Sequence, residues 1–144
     1  MKKDKQIVLT ISILISNNYD NVKRCLDSVK PLLSAVPSEL ILTDTGVTEK
    51  LRKLLEEYTD NIIDFKWCDD FSAARNAGLH KARGQWFLYI DDDEWFEDTT
   101  AISDFLMSGE EKNYNVACYI QRNYMEKSGK RYSDAVVDRI LRIN

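Results

Sequence analysis

The stretch Trp86-Phe87-Leu88-Tyr89-Ile90-Asp91-Asp92-Asp93-Glu94 places four carboxylates directly behind five apolar residues. An apolar run without alternation is typical of a strand that is covered on both faces, as in a parallel sheet. Carboxylates a few Å apart repel by about 3 kcal/mol per pair at an effective dielectric near 20, so this strand end needs compensating positive charge. A divalent cation is the natural candidate, because such ions are held by one or two carboxylates together with substrate phosphates.

The composition is that of an ordinary globular domain. The chain has 144 residues, of which 44% are hydrophobic and 31% charged, and its formal net charge is -4. These values predict one domain with a sizeable core. Lys and Arg are scattered rather than collected in a stripe, so we expect no nucleic-acid partner. A phosphate-bearing ligand is still compatible with the acidic balance where a bound metal reverses the local field.

Targeting and redox features are sparse. No apolar stretch reaches the roughly 18 residues of a membrane span, and residues 1–5 are not followed by a signal-peptide core. We therefore expect a cytoplasmic protein without a transmembrane segment. Cys25, Cys68 and Cys118 are far apart and lack CxxC spacing. This pattern predicts reduced thiols rather than a disulfide framework or a zinc site.

Short apolar runs alternate with amphipathic segments over the first two thirds of the chain. The predicted elements are a strand over 7–15, a helix from the capping residue Asp20 to near Pro31, a strand over 39–43, a helix from Thr48 to Tyr58, a strand over 62–67, a helix from Asp70 or Ser72 to Ala82 that Gly84 ends, and a strand over 86–90. This order predicts an α/β fold with a mostly parallel sheet and helices on both faces.

The last third of the chain has a different pattern. A helix near 100–107 is followed by predicted strands over 116–121 and 135–141, which the turn-rich residues 127–130 separate. We expect an antiparallel C-terminal strand pair here. Polar residues follow three of the four earlier strand ends, and ligands of such folds bind beyond those ends. These polar residues are Ser16 and Asn17, Asp44, and 91–93.

Five segments resemble, in their order and spacing, the family 2 glycosyltransferases with the GT-A (Rossmann-like) fold. They are ISILI at 11–15, CLDSV at 25–29, ELILTDTG at 39–46, FSAARNAG at 71–78 and GQWFLYIDDDE at 84–94. The resemblance covers most of residues 7–96. It implies a nucleotide-sugar donor, with UDP as the expected nucleotide, and a Mn²⁺ or Mg²⁺ ion held by a DxD motif. It also implies sugar transfer to an acceptor hydroxyl with inversion at the anomeric carbon.

The resemblance assigns roles within the acidic run. In the family, the last Asp of the motif coordinates the metal and the first faces the ribose or the metal. We therefore expect Asp91 and Asp93 to hold the ion and Asp91 to contact the donor. The alternative is a solvated acidic loop, but the run directly follows a buried strand. Asp92 either touches the nucleotide or faces water, and Glu94 is expected to support its neighbours.

Two further binding residues are expected on other elements. Asp44 matches the position where the family binds the donor base or ribose, and the alternative is an Asx turn before Gly46. Arg75 can reach donor phosphate or pair with Asp91, and the alternative is a surface helix residue. The resemblance also places Asn76 beside Arg75 in the site.

Ser16 and Asn17 lie in the loop that passes under the base in the family. The Pro and Thr that are frequent in that loop are missing here, so backbone contacts to the base are the expected ones. The only histidine, His80, has no second ligand at metal spacing and is expected at the surface or in packing.

No catalytic base is identifiable. In the family the base comes from the second half of the domain, and residues 137–144 resemble the strand just before that half. Asp134 and Asp138 lie in the predicted hairpin, with nothing to bring them to an acceptor. We therefore expect residues 1–144 to form a single nucleotide-sugar-binding domain, truncated before the acceptor-binding half.

Two functions stay open from the sequence. The first is a metal-dependent glycosyltransferase or its donor-binding part. The second is a noncatalytic nucleotide-sugar binding module. A sugar nucleotidyltransferase is disfavoured, because no Gly-rich phosphate loop follows the first strand. The acceptor, whether carbohydrate, lipid-linked glycan or protein, is not indicated, and an oligomer through exposed sheet edges is open.

Overall fold

A computed structural model describes residues 5–144; the first four residues, part of the segment in which we expected no signal peptide, lie outside this range. The elements are β1 (Leu9–Ile15), α1 (Tyr19–Ala35), β2 (Ser38–Asp44), α2 (Glu49–Tyr58), β3 (Ile62–Asp64), α3 (Phe71–Lys81), β4 (Trp86–Asp91), α4 (Thr100–Met107), a 3₁₀ helix (Glu110–Asn113), β5 (Val116–Tyr124) and β6 (Tyr132–Arg142). Within this range no helix is both long and apolar enough to cross a membrane.

The strands form one sheet in the order β3-β2-β1-β4-β6-β5. β1 pairs in parallel with β2 and β4, and β2 pairs in parallel with β3. β6 runs antiparallel to β4 and to β5, with a bulge between Ala117 and Cys118. The predicted fold, a mostly parallel sheet with a C-terminal antiparallel pair, is confirmed.

Helices cover both faces of the sheet, as predicted. Leu9, Ile11, Ile13 and Ile15 of β1 belong to a buried cluster with α1, α2 and α4. α3 lies on the opposite face, where a Cβ atom at Gly78 would come within 2.4 Å of the Ser12 Oγ. The small residues of α3 therefore serve close packing against the sheet, and the sheet itself is the rigid base of the strand ends.

Several predicted boundaries are wrong. β1 begins at Leu9 rather than at residue 7, β5 continues to Tyr124, and β6 spans Tyr132–Arg142. α1 is capped by Asn18, whose side chain accepts from the Asn21 N–H, and not by Asp20. It continues past Pro31 to Ala35, because the fully buried Leu32 holds the last turn in the core. The third strand ends at Asp64 rather than at residue 67. Its partner strand β2 ends at Asp44, opposite Asp64, so residues 65–67 have no strand to pair with.

Gly84 has a different role from the predicted one. α3 ends at Lys81 without it. A Cβ atom at Gly84 would lie 2.6 Å from the Thr10 backbone nitrogen and 2.9 Å from the Leu9 carbonyl carbon. Glycine is therefore required for the close approach of this segment to β1. The three cysteines are free thiols, as predicted, with Cys25 buried and the other two exposed.

Candidate functional site

Three strand ends meet at one edge of the sheet. In the register of β1, Leu14 lies opposite Asp91 of β4, and Ile15 lies opposite Asp44 of β2. Ser16 follows directly after β1. The residues predicted from separate parts of the chain are therefore neighbours in space, because parallel strands end on the same side of the sheet.

Arg75 of α3 reaches the first carboxylate of the acidic loop, residues 91–94. Its Nη2 lies 2.6 Å from the Asp91 Oδ1, and the two side chains are 38% and 36% exposed. Of the roles considered from the sequence, the structure shows the pairing with Asp91. A charge-assisted hydrogen bond of this kind supplies part of the positive charge that the acidic loop needs.

Asp92 does not face water. It is 7% exposed, and its Oδ2 accepts hydrogen bonds from the Ser16 backbone N–H at 2.6 Å and from the Ser16 Oγ at 2.8 Å. Burial raises the pKa of the Asp92 carboxyl, which the hydrogen bonds from Ser16 partly oppose. The residue therefore ties the acidic loop to the loop after β1.

Glu94 makes the supporting contacts expected of it. Its Oε2 accepts from the Asp91 backbone N–H at 2.8 Å, and its Oε1 lies 3.2 Å from the Arg139 Nη2. Burial raises the pKa of Glu94, while the Asp91 N–H and the Arg139 charge act in the opposite direction. Arg139 was not predicted from the sequence, since it lies 45 residues from Glu94 and no local pattern marks it.

Asp44 is held by its own loop. Its Oδ1 accepts from the N–H groups of Gly46 and Val47 at 2.8 and 2.9 Å, so the Asx turn considered from the sequence is present. Its Oδ2 lies 2.8 Å from the Arg52 Nη1. Burial alone would raise the pKa of Asp44, but the Val47 N–H and the Arg52 guanidinium outweigh it and lower that pKa. A base or ribose that contacts Asp44 would therefore add a hydrogen bond to a carboxylate that is already held in place.

The remaining predicted residues make no hydrogen bond to the acidic loop, except Ser16. The Asn17 Oδ1 accepts from the Thr48 N–H at 3.2 Å, which joins the loop after β1 to the start of α2. Asn76 is exposed on α3, and no hydrogen bond joins its side chain to another group in residues 5–144. His80 is exposed near the end of the same helix, as expected. Ser16, Asn17 and Asn76 remain predictions as ligand contacts.

A cleft of about 750 Å³ lies between the acidic loop and the β5–β6 hairpin. Asp91, Asp93 and Arg139 border it, and Gln121 and Asn123 line its hairpin side. This volume is within the usual range of small-molecule sites, about 300 to 1,000 Å³. The acidic loop therefore has room for a bound group on its hairpin side.

A sequence comparison identifies the family. The family model described as Glycosyl transferase family 2 matches residues 10–141. The chain belongs to glycosyl transferase family 2. The resemblance in the segments from 11 to 94 is thereby confirmed, and the match extends through the C-terminal hairpin.

Curated proteins similar to this family 2 chain are much longer. The SPbeta prophage-derived glycosyltransferase SunS of Bacillus subtilis is 26% identical over 145 residues, which are 99% of this chain and 33% of SunS. A TPR repeat-containing protein of Synechococcus elongatus is 34% identical over 86 residues, 60% of this chain and 20% of that protein. The chain thus spans a third or less of the length of these relatives.

Solved structures share the fold. The mannosyltransferase PcManGT of Pyrobaculum calidifontis, solved with GDP-Man and Mn²⁺, superposes with a TM-score of 0.63 at 12% identity, covering 82% of this chain and 37% of PcManGT. S. aureus TarS in complex with UDP gives a TM-score of 0.62 at 18% identity, covering 76% of this chain and 34% of the TarS chain. These likenesses establish the GT-A fold of the family 2 chain.

The carboxylates of the acidic loop provide only part of the ligand shell that a hard cation needs. Within residues 5–144, no group of three or more candidate ligand side chains is close enough to hold an ion. Asp93 is exposed, and Asp91 is partly engaged by Arg75. Two carboxylates without a closed cage match an ion that completes its shell with waters and phosphate oxygens, as Mg²⁺ does.

Proposed function

We propose that this chain binds a nucleotide sugar, expected to be UDP-linked, as the donor-binding part of a metal-dependent, inverting glycosyltransferase. The observation that carries the proposal is the meeting of Asp44, Ser16 and the acidic loop at one sheet edge in a family 2 domain. The activity of the longer relatives supports the reaction class. The cytoplasmic location expected from the sequence stays a prediction.

Asp91 and Asp93 are the residues that would hold Mn²⁺ or Mg²⁺. Such an ion supplies electrostatic stabilisation of a nucleoside diphosphate leaving group when bound. PcManGT, which shares the fold, was solved with Mn²⁺. The formal charge supports a divalent ion: four carboxylates of the acidic loop and the guanidiniums of Arg75 and Arg139 sum to -4 + 2 = -2.

The chain's other residues orient the donor. Asp44, fixed by its Asx turn and by Arg52, would accept hydrogen bonds from a base or a ribose. Ser16 and Asp92 keep the loop after β1 next to the acidic loop. UDP as the nucleotide is supported by TarS, which shares the fold and was solved with UDP and with UDP-GlcNAc. The cleft beside Asp91 and Asp93 offers space for the sugar.

A noncatalytic nucleotide-sugar binding module is the second candidate, and the hairpin acids favour it. Asp134 is paired with Arg122 through two hydrogen bonds of 2.9 Å, and the Asp138 Oδ1 accepts from the Cys118 Sγ. Neither carboxylate borders the cleft. We therefore assign neither Asp134 nor Asp138 as a catalytic base.

Calorimetric titration of the 144-residue chain with UDP tests the donor site. We expect binding that requires Mn²⁺ or Mg²⁺, is lost in Asp93→Ala, and is kept in Asp104→Ala, a matched control at an exposed Asp of α4. GDP, dTDP and CDP in the same experiment identify the base, and we expect UDP to bind most tightly. Binding that is insensitive both to chelation and to Asp93→Ala would contradict the proposal.

Acceptor-stimulated release of UDP from UDP-sugars would exclude the noncatalytic module. A glycosyltransferase releases UDP faster when an acceptor alcohol is added, whereas a binding module holds the donor intact. Asp93→Ala is the control in this assay, because it removes the donor site in both cases.

A further inference from the structure

Arg139 of β6 contacts the acidic loop through Glu94. Its Nη2 lies 3.2 Å from the Glu94 Oε1, and the two side chains are 15% and 21% exposed. The guanidinium also borders the cleft next to Asp91 and Asp93. An ion pair this far from solvent is weakly screened and fixes both side chains.

Glu94 connects Arg139 to the backbone of Asp91, one of the two residues proposed to hold the metal. Its second oxygen, Oε2, accepts from the backbone N–H of Asp91 at 2.8 Å. One carboxylate thus links Arg139 to the main chain at the first residue of the DxD motif. The Glu94 N–H also donates to the Asp91 carbonyl oxygen at 3.0 Å, so residues 91–94 form a turn, and fixing the backbone at Asp91 also limits where Asp93 can lie.

Tyr89 connects Arg139 to the other arginine of the site. Its ring centroid lies 5.0 Å from the Arg139 Cζ and 5.6 Å from the Arg75 Cζ, distances at which a guanidinium is attracted to an aromatic face. Arg75 in turn holds the Asp91 Oδ1. The acidic loop is therefore held at two points. Arg75 binds the Asp91 side chain, and Arg139 acts through Glu94 on the Asp91 backbone.

Stability alone is a poor explanation for this arrangement. The Nη1 of Arg139 is buried and has no hydrogen-bond partner within residues 5–144. A buried charge with an unpaired donor is costly, and apolar residues of similar volume are often as stable at such positions. An arginine here is better explained by what it positions.

We propose that Arg139 is a positioning residue of the donor site: through Glu94 it sets the backbone of Asp91 and so the geometry in which Asp91 and Asp93 receive a metal ion. This inference rests on the proposed metal-dependent donor binding. Outer contacts of this kind typically change metal affinity by about 10- to 100-fold when removed. We expect that loss in Arg139→Gln.

The positioning role of Arg139 is tested by the Mn²⁺ affinity of the 144-residue chain in the presence of UDP. The electron paramagnetic resonance signal of free Mn²⁺ measures this affinity, well below the melting temperature. The matched control is Arg122→Gln, which removes an arginine from the same hairpin, with its carboxylate partner Asp134 and its tyrosine ring, Tyr132. Arg122 makes no hydrogen bond to the acidic loop. We expect this control to keep the Mn²⁺ affinity of the unsubstituted chain.

Glu94→Gln provides a second route if Arg139→Gln does not fold. It keeps an acceptor for the Asp91 N–H and removes the charge that Arg139 binds. If Arg139 acts through Glu94, each variant loses Mn²⁺ affinity and the double variant loses no more than either. Losses that add, or wild-type affinity in Glu94→Gln, would overturn the role of Arg139.

If Asp93→Ala abolishes Mn²⁺ binding while Arg139→Gln and Glu94→Gln do not change it, the positioning role is wrong and the donor site stands. If the unsubstituted chain binds no Mn²⁺ with UDP, both proposals fail.

Discussion

Asp92 and Ser16, 76 residues apart in the chain, form a two-point contact: one carboxylate oxygen of Asp92 accepts from both the backbone N–H and the hydroxyl of Ser16. The Asp92 carboxylate is buried, whereas Ser16 is exposed. It joins the loop after β1 to the acidic loop after β4, so the position of one loop determines that of the other.

This contact predicts different effects for two substitutions of Asp92. Asp92→Asn keeps an acceptor for the Ser16 N–H, whereas Asp92→Ala leaves that donor unsatisfied. Both variants lack the charge, so the charge cancels in their comparison. We expect the free energy of unfolding of Asp92→Ala to be lower than that of Asp92→Asn by about 1 to 3 kcal/mol. Urea denaturation measures the difference, and equal stabilities would show that the contact contributes nothing.

The lowered pKa of Asp44 predicts a pH dependence of stability. A carboxyl whose pKa is lower in the folded chain stabilises it above the unfolded pKa, ordinarily 3.8, and loses that contribution as the pH falls through the folded pKa. We expect Asp44→Asn to lower the free energy of unfolding by about 1 to 3 kcal/mol at pH 7. The deficit should shrink below pH 3.8.

Asp64→Asn is the control for this prediction. Asp64 also pairs with Arg52, but its side chain is 80% exposed, and exposed ion pairs contribute little. We expect a smaller loss than in Asp44→Asn. A deficit of Asp44→Asn that is the same at pH 3 and pH 7 would exclude the ion pair as its cause.

Substitution of Arg75 separates the two roles considered for it, pairing with Asp91 and binding donor phosphate. Because it pairs with Asp91 before any ligand is bound, we expect Arg75→Gln to weaken Mn²⁺ binding both with and without UDP, by about tenfold or more. Arg83→Gln, at an arginine beyond the other end of α3 that pairs with Glu39, should leave both affinities unchanged. A loss seen only with UDP would instead indicate that Arg75 acts on phosphate.

The approach of Gly84 to β1 predicts a steric cost for a methyl group. Its Cβ would meet the backbone of Leu9 and Thr10 rather than a movable side chain. We expect Gly84→Ala to destabilise the fold by about 1 to 3 kcal/mol. Gly46→Ala, at a position with open space but φ of 109°, is the comparison for a purely conformational cost. Thermal unfolding measures the stability of both variants. A Gly84→Ala variant as stable as the unsubstituted chain would exclude the close contact.

Much of the fold was predictable because it depends on local pattern. The helix over Thr100–Met107 and the strand ending at the acidic run follow from spacing of apolar residues. The edge where Asp44 and Asp91 meet follows from the rule for parallel strands. Pro31 misled the prediction, since the burial of Leu32 outweighs one missing backbone hydrogen bond.

Long-range side-chain pairs were beyond the sequence. A pattern of residue types does not say that Asp92 points inward to Ser16, or that Arg52 turns to Asp44. The need for positive charge at the acidic run was inferred correctly, and pairing of Arg75 with Asp91 was one of the predicted alternatives. Arg139, which lies 45 residues from Glu94, was not predicted. Such pairs depend on the tertiary arrangement of α3, β4 and β6.

Trp95 directly follows the acidic loop, with the Arg24 Cζ 3.7 Å from its ring centroid and Tyr124 stacked on it at 6.2 Å. The other two tryptophans report on different places, Trp86 on the fully buried core and Trp67 on the loop before α3. A guanidinium above an indole changes its emission when the distance changes. The acidic loop therefore has a built-in fluorophore, and an emission change on adding diamagnetic Mg²⁺ that disappears in Trp95→Phe would report its movement without a label.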